Sequence, residues 1–234
     1  MRTTDPNLVL LTHAVAQLGP LVDRVVFLGG CATALLLTDP AAPEVRPTQD
    51  VDVIAEVGSL TDYYRLAESL RAAGFVEDQS PGAPLCRWRT PEVILDVMPT
   101  DEHVFGFGNR WYRPALANAQ LIDLPTGQRI RVVTAPYFLA TKLAAFAGRG
   151  GDDYLASPDL EDIVTLVDGR AELVGEVAQA DADLRQFLAR RLSTLLATPP
   201  FLEALSAHLP PDAASQARVP ILLDRIRLMA RAHP

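Results

Sequence analysis

The stretch from Val25 to Glu56, VVFLGGCATALLLTDPAAPEVRPTQDVDVIAE, constrains this chain more than any other. It opens on a β-branched and aromatic run, Val25 to Leu28, that reads as a buried strand. The run stops at Gly29-Gly30, where glycine lets the backbone turn sharply and approach a ligand closely. A helix follows from Ala32 to Leu37, its first free N–H groups available to an anion. Thr38 to Pro43 is a loop by composition. Arg46-Pro47-Thr48-Gln49 then leads into a second strand, Asp50-Val51-Asp52-Val53-Ile54-Ala55. Side chains alternate along a strand, so Asp50 and Asp52 share one face while Val51 and Val53 enter the core. Two carboxylates side by side repel each other, and a hard divalent cation removes that cost. Mg²⁺ takes one or two carboxylates together with substrate phosphates. A phosphate turn and a paired-carboxylate metal site are two parts of a phosphoryl-transfer centre. Taken singly, the Gly pair also reads as a plain turn, and the acid pair as the solvated face of an edge strand.

Other segments supply what this centre lacks. Leu85-Cys86-Arg87-Trp88-Arg89 alternates as a strand, and Val93 to Pro99 forms another with Asp96 at its middle. An acid inside an apolar strand is costly to bury unless something pairs with it, so Asp96 calls for a metal or a cation. If its strand neighbours that of Asp50 and Asp52, three carboxylates meet. They can share metals that clamp nucleotide phosphates, and one of them can help deprotonate an attacking hydroxyl. Of 21 basic residues one alone, Lys142, is a lysine. An ammonium kept where arginine is otherwise universal suits a position that needs a compact point charge, although chance can also leave one surface lysine. Lys142 lies on a helix predicted over Pro136 to Phe146 with Thr134 as N-cap. Ser157 and Pro158 begin another helix, and Asp159 and Asp162, three apart, share its face. Those acids also fit as helix-start residues favoured by the helix dipole.

The remaining chain frames these groups. Residues 7 to 19 predict a helix over one sheet face, with His13 on or near the packed side. Leu60 to Phe75 predicts an amphipathic helix whose Tyr63 and Tyr64 serve packing and surface. Residues 76 to 84 form a turn-rich loop, Asp101 to His103 lie in a loop, and 104 to 120 show no periodicity and read as loop packing. Leu121 to Val133, broken at Pro125-Thr126-Gly127, reads as a β-hairpin. A glycine-rich acidic loop is expected from Gly150 to Tyr154. Helices are predicted over Ala171 to Ala180, Asp183 to Leu196, Pro200 to His208 and Val219 to Arg231. Arg185, Arg190, Arg191, Arg218, Arg225, Arg227 and Arg231 make this end locally basic, enough to contact a polyanion or simply to form solvated faces. Cys31 and Cys86, outside any Cys/His cluster, are expected to be buried thiols, with neither a disulfide scaffold nor a zinc site. A net charge of −8 over 234 residues argues against broad non-specific DNA binding. No apolar run approaches a membrane span and the N-terminal residues do not resemble a secretion signal, so the expected location is cytoplasmic, without membrane.

In combination, Gly29-Gly30, the helix after it, Arg46-x-Thr48-x-Asp50-x-Asp52, the strand of Asp96, and Lys142 with Asp159-x-x-Asp162 resemble the AbiEii/MenT-like branch of the DNA polymerase β-type nucleotidyltransferase superfamily. The similarity spans Val25 to Val167. It implies an α+β fold, a small mixed sheet flanked by helices over residues 1–134, then a helical domain over 135–234 that completes an active-site cleft. It implies Gly29, Gly30 and Thr33 at the triphosphate, Arg46 and Thr48 beside the nucleotide, and Asp50, Asp52 and Asp96 on Mg²⁺, with two metals expected. Lys142 would contact nucleotide phosphates, with Asp159 or Asp162 as a further active-site acid. The usual Gly-Ser of the superfamily is Gly-Gly here, and the Pro-rich loop makes the spacing to Asp50 long. The implied activity is transfer of a nucleoside monophosphate from an NTP to an acceptor hydroxyl, often on tRNA, by a toxin with a cognate antitoxin protein. A transferase acting on a small aminoglycoside-like molecule or on a protein would use the same residues. A non-catalytic nucleotide-binding or interaction module is the alternative of another class.

Overall fold

The structure is a computed structural model that describes residues 5–149 and 153–231. The first three residues of the expected Gly150 to Tyr154 loop lie outside the described residues. The chain divides into two compact units, Met1–Leu35 with Arg46–Thr134, and Leu36–Val45 with Ala135–Pro234.

The first unit is built on a mixed seven-stranded sheet and begins with α1 (Pro6–Leu18), capped by Asp5, whose side chain accepts from the Asn7 N–H. The helix stops at Gly19, and the chain turns through a 3-10 segment, Gly19–Arg24, into β1 (Val25–Leu28). There follow α2 (Gly30–Leu36), β2 (Asp50–Ala55) and α3 (Leu60–Ala72), the last with Ser59 as N-cap. Next come β3 (Val76–Glu77), β4 (Arg87–Arg89) and β5 (Ile94–Pro99). The unit closes with α4 (Tyr112–Ala117), β6 (Gln120–Asp123) and β7 (Arg129–Val132). In the sheet the order is β3-β4-β5-β2-β1-β7-β6. β2 is central, antiparallel to β1 and parallel to β5. Val51, Val53 and Ile54 have no exposed surface, as expected of a strand covered on both faces, and Asp50 and Asp52 interrupt that apolar run at one end. Helices flank the sheet, giving an α+β fold.

The second unit is helical: α5 (Ala135–Gly148), α6 (Pro158–Gly169), α7 (Leu173–Gln179), α8 (Ala182–Leu196), α9 (Pro199–Ala204), α10 (Ala213–Gln216) and α11 (Val219–Ala230). Every residue of α5 from Ala135 to Thr141 is buried, with Leu143 and Phe146 continuing the core. A helix apolar nearly all round is central to its bundle, and α5 packs on α6, α7 and α8. α11 packs on the same three helices.

Several local expectations are corrected. His13 is exposed, because the apolar stripe of α1 runs through Leu11, Ala14, Val15 and Leu18 and leaves position 13 outside. The aperiodic segment 104–120 contains α4, too short at six residues for its periodicity to register. The loop 76–84 starts with the two-residue edge strand β3, paired to β4. Tyr63 is buried and Tyr64 exposed, and both cysteines are buried free thiols, as expected. Among the described residues no helix is long and apolar enough to cross a membrane.

Candidate functional site

The acids of the first unit are brought together by strand register. β2 and β5 pair in parallel with Asp52 opposite Asp96, and β4 pairs antiparallel to β5 with Arg87 opposite Asp96. Residues paired across a sheet share a face, so Asp50, Asp52, Asp96 and Arg87 stand on one side. The guanidinium of Arg87 bridges the acids. Its Nε donates to Asp96 Oδ1 at 2.8 Å, and its Nη2 donates to Asp96 Oδ2 at 2.7 Å and to Asp50 Oδ2 at 2.8 Å. The side chain of Asp96 is 9% exposed and that of Arg87 23%, so these charge-assisted bonds are partly withdrawn from water and worth more than surface pairs. The carboxylates hold the guanidinium in its charged form, moving its pKa further above the usual arginine value, chiefly through the hydrogen bond to Asp96. On the same strand neighbourhood the Cys86 thiol is pushed up to about 12 by burial and by the charge of Asp96, which makes it a poor nucleophile.

A second set of contacts fixes the approach to β2. Asn7, fully buried at the start of α1, donates through Nδ2 to the Arg46 carbonyl at 2.9 Å and accepts from the Thr48 N–H at 2.8 Å. Thr48 Oγ1 then donates to Asp50 Oδ1 at 2.9 Å. A chain of bonds thus runs from Asn7 through Thr48, Asp50 and Arg87 to Asp96, and each of the four carboxylate oxygens of Asp50 and Asp96 carries one. Asn7 and Arg87 are the two members that sequence reasoning missed. The signal for Arg87 was present in the demand of Asp96 for a cation; for Asn7 there was none beyond a polar residue at a helix start.

The glycine pair lies against this group, and its two members differ. Gly29 has φ +75°, and a Cβ built there would stand 1.8 Å from Asp52 Oδ2. The Asp52 carboxylate therefore occupies the space that any side chain at 29 needs. At Gly30 a Cβ would meet Thr48 Cβ at 3.4 Å and Arg46 Nη2 at 3.7 Å, ordinary contacts. Thr33 is fully buried, and its hydroxyl donates to the Gly29 carbonyl at 3.3 Å, so it braces the turn from behind.

Lys142, Asp159 and Asp162 form a separate cluster inside the helical unit. Asp159 and Asp162 are 4% and 1% exposed, too buried to be ordinary helix-start acids. The Lys142 ammonium lies 2.5 Å from Asp162 Oδ2 and 3.5 Å from Asp159 Oδ1, and Arg149 Nε stands 3.6 Å from Asp159. Of the seven arginines expected to make this end basic, three are engaged within the unit: Arg218 bonds Asp39 and Asp168, Arg225 bonds the Val167 and Asp168 carbonyls, and Arg185 the Ala180 carbonyl. Arg190, Arg227 and Arg231 are exposed, Arg227 in a surface pair with Asp224.

Three carboxylates on two adjacent strands are the hard oxygen set a divalent cation takes, and two of them, Asp50 and Asp96, already hold a positive charge between them, so the donor chemistry fits Mg²⁺. Among the described residues no three His, Cys, Asp or Glu side chains stand arranged to hold a metal ion; Arg87 draws Asp96 and Asp50 toward itself, and Asp52 lies over Gly29. A cavity of about 340 Å³ lined by Asp23, Arg24, Ala55, Glu56, Leu66, Leu116 and Arg131 is at the Ala55 end of β2, some ~17 Å along the strand from Asp50, and is not part of this group.

No family model matches the chain, and no curated protein does. Among solved structures the chain is similar to a crystal structure from H. pylori named provisionally as a nucleotidyltransferase, with 12% identity and a TM-score of 0.47 over 99% of this chain and 96% of the other. A likeness that distant assigns no chemistry, which rests on the residues above.

Proposed function

We propose that this protein is a nucleotidyltransferase that moves a nucleoside monophosphate from an NTP to an acceptor hydroxyl. The observation that carries the reading is the placement of Asp50, Asp52 and Asp96 on one face of two adjacent parallel strands, beside the Gly29-Gly30 turn. The acceptor oxygen forms a bond to the α-phosphorus, the bond from that phosphorus to the bridging oxygen breaks, and pyrophosphate leaves with the electron pair. The hydroxyl proton passes to a carboxylate of the group. Asp50, Asp52 and Asp96 would hold Mg²⁺, which when bound neutralises charge on the phosphate oxygens. Thr48 and Asn7 hold Asp50 in place, and Gly29 leaves room for Asp52. Lys142 with Asp159 and Asp162 is proposed to contribute its ammonium to the nucleotide phosphates. The acceptor we propose is tRNA, and the biological role that of a toxin neutralised by an antitoxin protein. These two finer assignments rest on the family resemblance.

The experiment is to incubate the protein and its Asp52→Ala variant with each labelled NTP, Mg²⁺ and total tRNA or cell extract. The expected result is label in an acceptor with wild type only. Absence of transfer to any acceptor, with retained NTP binding, would replace the transferase by a nucleotide-binding module.

A further inference from the structure

Both Arg87 and a divalent cation need the same carboxylate oxygens. Arg87 engages both oxygens of Asp96 and one of Asp50, and Thr48 engages the last. A guanidinium between two carboxylates also repels any second cation brought to them. Yet Arg87 is not a deeply buried strut: its side chain is 23% exposed and that of Asp50 30%, and β4, which carries it, is only three residues long and lies one strand from the sheet edge. Its departure therefore breaks three hydrogen bonds at one guanidinium.

We propose that Arg87 is an exchangeable counter-ion of the acidic group: it holds Asp50 and Asp96 together without metal, and a divalent ion binds only by displacing its guanidinium. Arg87 thus sets the metal affinity of the group without contacting reacting atoms, as a positioning residue. This inference rests on the metal-binding role proposed for Asp50, Asp52 and Asp96, and goes beyond it in assigning a role to a residue outside the acid set.

The test is direct Mn²⁺ binding followed by electron paramagnetic resonance, without nucleotide, on wild type, Arg87→Gln, Arg87→Lys and Arg87→Gln combined with Asp52→Ala. Arg87→Gln is expected to bind Mn²⁺ about tenfold more tightly than wild type, the scale of one charge-assisted contact no longer given up. Arg87→Lys, which keeps the charge and loses the fork geometry, is expected to fall between them, and the double variant to lose the site. Thermal melts give a second readout: in EDTA Arg87→Gln melts below wild type, and saturating Mn²⁺ raises its melting temperature more than that of wild type. Equal or weaker Mn²⁺ affinity in Arg87→Gln overturns the counter-ion role while leaving the metal site standing. Absence of Asp52-dependent Mn²⁺ binding in every folded variant overturns the metal site itself, and this inference with it.

Discussion

Gly29 and Gly30 are indistinguishable in the sequence, and the structure asks different things of them. Alanine at 29 meets a left-handed backbone, φ +75°, and the Asp52 carboxylate at once. Strain of this kind costs about 1–3 kcal/mol and forced repacking a similar amount, so Gly29→Ala is expected to lose about 3 kcal/mol or more in urea denaturation. Gly30→Ala meets only ordinary contacts and should stay within about 1 kcal/mol of wild type. Equal losses at the two positions would contradict the role given to Asp52 in fixing the turn. The same scale shows what the sequence could and could not reveal. Alternation alone placed Asp50 and Asp52 on one face, and the cost of burying Asp96 demanded a metal or a cation. That the cation is Arg87, nine residues away, depended on the register of β4 against β5, which puts Arg87 opposite Asp96 and leaves no mark in a three-residue strand. Asn7 was invisible because its partners are distant in sequence, 39 and 41 residues away.

At the scale of elements, the end of α6 is held by groups far from it in sequence. Its last carbonyls have no partner within the helix. They are met by Arg225 at Val167 and Asp168, by Arg218 at Asp168, and by the N–H groups of Thr38 and Asp39 at Gly169. Arg218 also pairs with the carboxylates of Asp168, 1% exposed, and Asp39, so the segment Leu36–Val45 is tied to this helix end. Removing one partner from a buried pair costs about 3–5 kcal/mol because the other charge is left behind, whereas an apolar replacement of both is often neutral. Arg218→Ala is therefore expected to lose stability on that scale, and Arg218→Met with Asp168→Leu to regain most of it. The pH dependence has a definite sign. The hydrogen bond from Arg218 holds Asp39 below its ordinary value of 3.8. Its contribution is complete above the unfolded value and is lost as pH falls through the lower folded one. Acid unfolding of Asp39→Asn should accordingly be flatter below about pH 4 than that of wild type, and a variant as steep as wild type would remove Asp39 from the clamp. The longer helices were legible from periodicity and caps, whereas the short α4 and α10 were not. The engagement of their arginines was not, since a basic residue on a helix reads the same in sequence whether it faces water or another helix's carboxylate.

Across the whole molecule the scarcity of lysine turns a compositional oddity into a probe. A chain with one lysine offers one ε-amine, and this one is 14% exposed and lies between two buried carboxylates. The sequence displayed all three residues, but the burial that separates a helix-start acid from an ion-pair partner arises only when α5 and α6 pack. An amine enclosed by two buried carboxylates is shielded, so it reacts with acylating reagents only when the pair opens. Native protein treated with acetic anhydride and read by mass spectrometry is expected to acquire its label at the α-amine, with Lys142 modified at least ~10-fold more slowly than after denaturation, a factor that corresponds to an opening cost above about 1.4 kcal/mol. The protection should survive high salt, because a pair this buried is screened far less than surface charges across a Debye length of about 10 Å at 0.1 M. Asp162→Asn removes the nearer partner and should raise the rate at Lys142 more than Asp159→Asn, given 2.5 Å against 3.5 Å. Lys142 labelling in the native protein as fast as in the denatured chain would show that the ammonium is held by neither acid, and the proposed delivery of its charge to nucleotide phosphates would lose the fixed position from which it acts.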